Sequence, residues 1–201
     1  MKKSKILLLT LFSGALILNG CSTKEQQTSS ENSTTSTSTS SSSNSEQKNS
    51  NSQSQTAFDF TAKDVNGKDV KLSDFKGKKV YINVWASWCG PCKIEMPGLE
   101  KVYQKHKDEK DFVFLSITSP SGEEFKNTKP ADQDKETILG VAEQKKITYP
   151  ILFDVNDRFM INYSIRAFPT HIFVNSDGTL MEQFPGIMDE STLENKLKNL
   201  K

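Results

Sequence analysis

The chain has 201 residues, and residues 22–56 contain 21 Ser or Thr but no Ala, Val, Ile, Leu, Met, Phe, Trp, Tyr or Cys. Such a stretch cannot bury a core, so what remains, residues 57–201, is enough for one ordinary domain and not for two. With 26 Lys+Arg against 25 Asp+Glu, the near-neutral balance argues against a dedicated nucleic-acid binder, which carries a strong basic excess.

The chain opens with Lys2, Lys3 and Lys5, followed by a mostly apolar run from Ile6 to Leu18. As a helix this run spans about 20 Å, short of the roughly 30 Å hydrocarbon core. It therefore reads as a secretory signal peptide, residues 1–20. Leu18-Asn19-Gly20-Cys21 resembles the lipobox of bacterial lipoproteins. That resemblance implies cleavage before Cys21, lipidation of Cys21, and residence on the outer face of the bacterial cytoplasmic membrane. Residues 21–56 are then anchor and disordered tether, with a reach of about 30–35 Å if the 35 residues after Cys21 behave as a flexible coil.

In the body, Phe58–Thr61 and Asp69–Leu72 read as short strands around the turn dipeptide Asn66-Gly67. Val80–Trp85 is a dense run of β-formers, expected as a central buried strand. Pro91 to Lys107 has helical spacing, with Ile94, Leu99, Val102 and Tyr103 inward. Phe112–Ile117 is the next buried strand, and the polar residues 118–132 read as a variable surface loop. Asp134–Lys146 reads as a helix, Pro150–Phe153 as a strand, and Asp157–Tyr163 as a helical turn or two. His171–Val174 and Thr179–Phe184 form a hairpin. Ser191–Leu200 is a closing helix, with Ser191 as cap and Glu194 completing a capping box. The alternation predicts an α/β sandwich with a mixed sheet and right-handed parallel crossovers.

Setting Cys21 aside leaves Cys89 and Cys92, in Trp88-Cys89-Gly90-Pro91-Cys92 between a strand and a helix. Positions i and i+3 of a first helical turn satisfy the roughly 4.4–6.8 Å Cα spacing a disulfide needs. At the helix N-terminus, Cys89 faces unpaired N–H groups and the positive end of the helix dipole, both of which favour its thiolate. Pro91 fits a first turn because its missing N–H is not needed there.

Lys79 through Cys92, KVYINVWASWCGPC, closely resembles the thioredoxin superfamily. The N-terminal hairpin, the Leu72–Lys78 lead-in, the Glu95-Met96-Pro97 run and Phe168-Pro169-Thr170 resemble its TlpA/ResA branch of extracytoplasmic thiol-disulfide oxidoreductases. The resemblance implies a thioredoxin-like α/β fold, a mixed central sheet flanked by helices, with an N-terminal β-hairpin extension. It implies Cys89 as attacking thiol, Cys92 as resolving thiol and a disulfide between them. It makes Pro169 a cis-proline beside that disulfide, leaving the Phe168 backbone free to pair with a substrate segment, and Trp88 an apolar cover of the site. It also implies a monomer that needs no cofactor or metal. Its electrons come from a CcdA- or DsbD-like membrane protein, and its substrates are exported proteins such as methionine sulfoxide reductase or apocytochrome c. A departure lies in the central strand: where thioredoxin has a buried, titratable Asp, this chain has Asn83. Glu95, three residues after Cys92, is the nearest carboxylate in sequence. It reads as a solvated or capping residue, and no proton donor is assigned.

Other chemistries fit less well. Cys89, Cys92 and His106 touch a zinc-finger spacing, but the next His is His171, far beyond the short interval such a site uses. Trp85-Ala86-Ser87-Trp88 supplies none of the activating residues of a peroxidase. A disulfide-forming oxidase of the same fold stays open, as does a binding lipoprotein whose disulfide is only structural.

Overall fold

A computed structural model describes residues 55–201. The expected signal peptide, Cys21 and the tether as far as residue 54 lie outside the described residues. Gln55 and Thr56, assigned by composition to the tether, already belong to the folded unit. Leu180 N–H donates to Gln55 O at 2.7 Å, and Thr56 bridges Thr179. Among the described residues no helix is long and apolar enough to cross a membrane.

In chain order the elements are β1 (Thr61–Lys63), β2 (Asp69–Lys71), β3 (Lys79–Val84), α1 (Gly90–His106), β4 (Phe112–Thr118), α2 (Lys135–Lys145), β5 (Ile151–Asp154), α3 (Arg158–Asn162), β6 (Thr170–Val174), β7 (Leu180–Pro185) and α4 (Glu190–Lys198). One sheet takes the order β2-β1-β5-β4-β3-β6-β7. The β3–β4 and β4–β5 pairs are parallel and the other four antiparallel. This is the mixed-sheet α/β sandwich the sequence implied.

The sheet has two faces because side chains alternate along a strand. From β3, Tyr81 enters the core under α1, α2 and α4, with Trp85, Met96, Leu99, Val102, Ile138, Phe173, Leu193 and Leu197. Val80, Ile82 and Val84 enter the opposite core, with Phe60, Ile117, Leu152 and Phe159. Asn83 shares the parity of Tyr81 and pairs across the ladder with His171 of β6. Two polar side chains are thereby placed on the core face beneath α1.

Several expectations need correction. The first strand begins at Thr61 rather than Phe58. Phe60 is drawn into the core against Phe159, with rings 5.1 Å apart. Ile94, expected inward, is 72% exposed, while its neighbour Glu95 takes the buried position. Residues 118–132 form a tethered structure rather than a free surface loop. Phe125 is buried, Asn127 Nδ2 donates to Pro120 O and Asp154 O, and the Asp157 carboxylate accepts from the Thr128 N–H at 2.7 Å. The cap of α4 is Asp189, whose carboxylate accepts from Thr192 N at 2.7 Å. Ser191 instead donates its hydroxyl to Asp189, and Glu194 reaches across to α1.

That cross-helix contact gives a pH-dependent element of stability. His106 lies 3.0 Å from Glu194 and 2.7 Å from Glu109. Desolvation opposes its charge, but hydrogen bonds to the two carboxylates outweigh this and raise its pKa above the ordinary 6.5. A raised folded-state value stabilises most below the unfolded value, and that contribution is lost as pH rises through the folded one. The Glu194 carboxyl is held below its ordinary value despite partial burial, by hydrogen bonds from His106 and Lys105, so its share fades in acid. His106→Gln should cost up to about 1 kcal/mol at pH 6 for this partly buried, solvent-screened pair. In a domain of this size that is about 2–4 °C in Tm. Thermal melts at pH 6 and pH 9 check this, with the wild-type advantage shrinking at the higher pH.

Candidate active site

The end of β3 delivers the chain into the Cys motif. Trp85 N–H donates to Ile117 O at 3.1 Å, continuing the ladder, and Cys89 N–H donates to Ala86 O at 3.0 Å, closing a turn. Cys89 is the N-cap of α1, and its sulfur accepts from Cys92 N–H at 3.1 Å. Pro91 occupies the first turn. Cys89 and Cys92 are disulfide-bonded, with S–S 2.05 Å and Cα atoms 5.4 Å apart. The helix terminus therefore directs a backbone donor at the Cys89 sulfur, which favours negative charge there once the bond is reduced.

Trp88 is 57% exposed. Its Nε1 donates to Ala131 O at 2.9 Å, and its ring meets Phe168 edge-on at 5.8 Å. Ser87 fastens the same turn to the loop through Asp132, whose Oδ2 accepts from Ser87 N–H at 2.8 Å. Burial pushes the Asp132 carboxyl up from its ordinary value, against the hydrogen bonds from Ser87 and Gln133.

The Phe168–Pro169 peptide is cis. Register places it at the motif, because Thr170 pairs with Val84, the last residue of β3. Gly186 N–H donates to Pro169 O at 2.9 Å. Among the described residues no loop or turn hydrogen bond engages the Phe168 backbone. The residues singled out in the sequence, Trp88, Cys89, Cys92, Phe168 and Pro169, thus gather at one end of the sheet.

Sequence reading missed what lies beneath them. Glu95 is 5% exposed, not solvated. Its Oε1 accepts from Asn83 Nδ2 at 3.0 Å, and its Oε2 from Met188 N–H at 3.0 Å. The Nε2 of His171, fully buried, stands 3.4 Å from Oε2. The same Nε2 lies 3.0 Å from Gly186 O, and Nδ1 lies 2.7 Å from the Tyr81 hydroxyl. Burial, with the Glu95 charge second, pushes the Tyr81 phenol well above its ordinary value and keeps it protonated. Asn83 leaves its Oδ1 buried and unpartnered. Where thioredoxin uses one titratable strand residue, this chain places a carboxylate from the helix against an amide from the strand. A helical period of about 3.6 residues, which puts Glu95 on the side of Cys92, Met96 and Leu99, was the available signal. The other histidine, His106, is engaged by Glu194 and Glu109 at the far end of α1.

The Redoxin family model matches residues 52–199. The chain belongs to the Redoxin family. Within it, the curated relatives include the thioredoxin-like protein YneN of Bacillus subtilis (strain 168), 31% identical over 69% of this chain and 75% of that one. They also include the thiol-disulfide oxidoreductase ResA of Bacillus thuringiensis subsp. konkukian, 28% identical over 70% and 74%. Among solved structures, the pneumococcal exposed lipoprotein thioredoxin Etrx1 of Streptococcus pneumoniae TIGR4 superposes with a TM-score of 0.57 at 31% identity, covering 71% of this chain and all of that one. StoA of Bacillus subtilis gives 0.57 at 25%, covering 69% and 95%. This Redoxin protein is a thiol-disulfide oxidoreductase of the ResA type, and Cys89–Cys92 is its cysteine pair.

Proposed function

We propose that this Redoxin protein is a membrane-anchored extracytoplasmic reductant, held by a lipid on Cys21, that reduces disulfides or oxidised thiols of exported proteins. The observation that carries the chemistry is the Cys89–Cys92 disulfide at the N-terminus of α1 with Cys92 N–H on the Cys89 sulfur. The signal-like leader and the lipoprotein Etrx1 among the similar structures support the location.

In the working cycle the Cys89 thiolate attacks a substrate disulfide and one substrate thiolate leaves. Cys92 gives its proton to Glu95 and, as thiolate, attacks the Cys89 sulfur. The second substrate thiolate leaves and Cys89–Cys92 re-forms. Two electrons pass to the substrate, and the Glu95 proton passes on to solvent. Glu95 suits the role because it is the buried carboxylate one helical turn beyond Cys92 and is positioned by Asn83 and Met188. A membrane donor of the CcdA or DsbD kind then restores the dithiol. Oxidised methionine sulfoxide reductase and apocytochrome c are suitable acceptors. Substrate lies across the exposed Trp88 ring, Phe168 and Pro169.

Trp88→Ala should therefore weaken substrate capture, raising KM for a protein disulfide about three- to tenfold with kcat little changed, as expected for uniform binding. Steady-state kinetics on a protein substrate check this. The direction of the reaction is tested by redox equilibrium against glutathione. The reductant reading expects a potential near the thioredoxin value of about −270 mV, and one near about −120 mV turns the assignment to a disulfide-forming oxidase.

A further inference from the structure

His171 is the one fully buried histidine, and the cycle above gives it no part. The partners of its ring define its state. Gly186 O can only accept, so the nitrogen 3.0 Å away, Nε2, must carry a hydrogen. The Nδ1 nitrogen then accepts from the Tyr81 hydroxyl at 2.7 Å. The Gly186 carbonyl thus fixes a hydrogen on Nε2, and the Tyr81 hydroxyl, which can donate, completes the pairing of the neutral ring. The Gly186 carbonyl it holds lies two residues before Met188, whose N–H donates to Glu95 Oε2 at 3.0 Å. The Gly186 amide also donates to Pro169 O at 2.9 Å. The segment from Gly186 to Met188 is therefore pinned between the cis-proline and the helix carboxylate, and His171 is the side chain that pins it. Glu95 Oε2 also stands 3.4 Å from Nε2, close by but outside the hydrogen bond made to Gly186 O.

We propose that His171, its Nε2–H directed by Gly186 O and its other ring nitrogen engaged by Tyr81, is the positioning residue that holds the Gly186–Met188 segment and the Glu95 carboxylate in place for deprotonation of Cys92. The inference rests on the assignment of Glu95 as proton acceptor. It makes the resolving half of the exchange, and not the attack by Cys89, depend on a strand residue 79 positions after Cys92.

The reduced full-length protein and dithiobis(nitrobenzoate) separate the two halves. The first thionitrobenzoate is released when Cys89 attacks and forms the mixed disulfide. The second is released when Cys92 resolves it to Cys89–Cys92, its proton leaving through Glu95. His171→Leu should slow the second phase about tenfold and leave the first within about twofold, the loss expected when a reacting group is slightly misplaced. His171→Gln, which returns an N–H donor near the Nε2 position, should restore most of the second phase. Tyr81→Phe removes one hydroxyl with no change of ring and keeps the test available should the leucine variant not fold; it should slow the second phase about threefold. A second phase at the wild-type rate in His171→Leu, equal slowing of both phases, or no restoration by His171→Gln overturns the proposal, and a wild-type second phase in Tyr81→Phe does so should the leucine variant not fold. Glu95→Gln separates the two assignments. A slow second phase there with a wild-type one in His171→Leu removes His171 alone, whereas a wild-type second phase in Glu95→Gln removes both.

Discussion

Cys89→Ser should abolish thiol-disulfide exchange, whereas Cys92→Ser should keep the attack and stop at the mixed disulfide. The asymmetry follows from position. Cys89 is the cap residue whose sulfur receives the Cys92 N–H, so it is the sulfur on which charge is favoured. Both cysteines are buried in the disulfide, Cys89 at 3% exposed and Cys92 at 0%, so the asymmetry rests on the cap position of Cys89 and on Cys92 lying inside the first turn, just after Pro91. In Cys89→Ser the residual rate should fall by at least a thousandfold, because an alcohol is not an exchanging nucleophile at neutral pH. In Cys92→Ser a one-to-one covalent adduct with a disulfide substrate should build up, visible as a mass increase that a reducing agent reverses. In cells the same variant should carry exported proteins as mixed disulfides, and their identities name the substrates. An adduct on Cys92 in Cys89→Ser, formed as fast as that on Cys89 in Cys92→Ser, would reverse the assignment.

Glu95→Gln should slow the resolving step about a hundredfold, the size of a lost general base. The substitution keeps the shape, and its single amide oxygen can accept from only one of Asn83 Nδ2 and Met188 N–H, but it cannot take a proton. The attack by Cys89 should change little, and the mixed disulfide should accumulate as a weaker copy of the Cys92→Ser trap. Asn83→Asp is the informative companion. It sets a second carboxyl 3.0 Å from the first, and two such groups cannot both carry charge cheaply. That variant should bind an extra proton and displace the pH dependence of resolution upward. Rapid-quench analysis of the adduct between pH 5 and 9 reads both effects.

The parts of this site that were legible in the sequence are those made by neighbours in the chain. A strand, a turn with Gly90-Pro91 and a helix start are adjacent, so the chemistry of Cys89 follows from local rules. Pro169 is distant in sequence, and it was found through resemblance rather than spacing. Glu95 was misread because its burial is decided by Asn83, 12 residues before it, and Met188, 93 residues after it. Its neighbour Ile94 misled in the opposite sense. An apolar residue in a helical window was placed inward, although the helix rotation gives that depth to Met96 and Leu99. The cap of α4 went to Asp189 because its carboxylate reaches the Thr192 N–H, and the approach of α1 drew Glu194 away from any capping box. The loop before α2 looked free because it is polar. Its anchors are an aromatic side chain, Phe125, and carboxylates that accept backbone N–H groups, which composition does not distinguish from a solvated loop.

The central claim is that Cys89, and not Cys92, is the activated thiol. The most direct measurement is the ultraviolet thiolate absorbance of the reduced protein followed against pH, with Cys92→Ser as the single-thiol control. One thiolate forming well below the ordinary thiol value of about 8.5, and still present in Cys92→Ser, is the predicted result. No thiolate forming below that value, or one that disappears in Cys92→Ser, would contradict it.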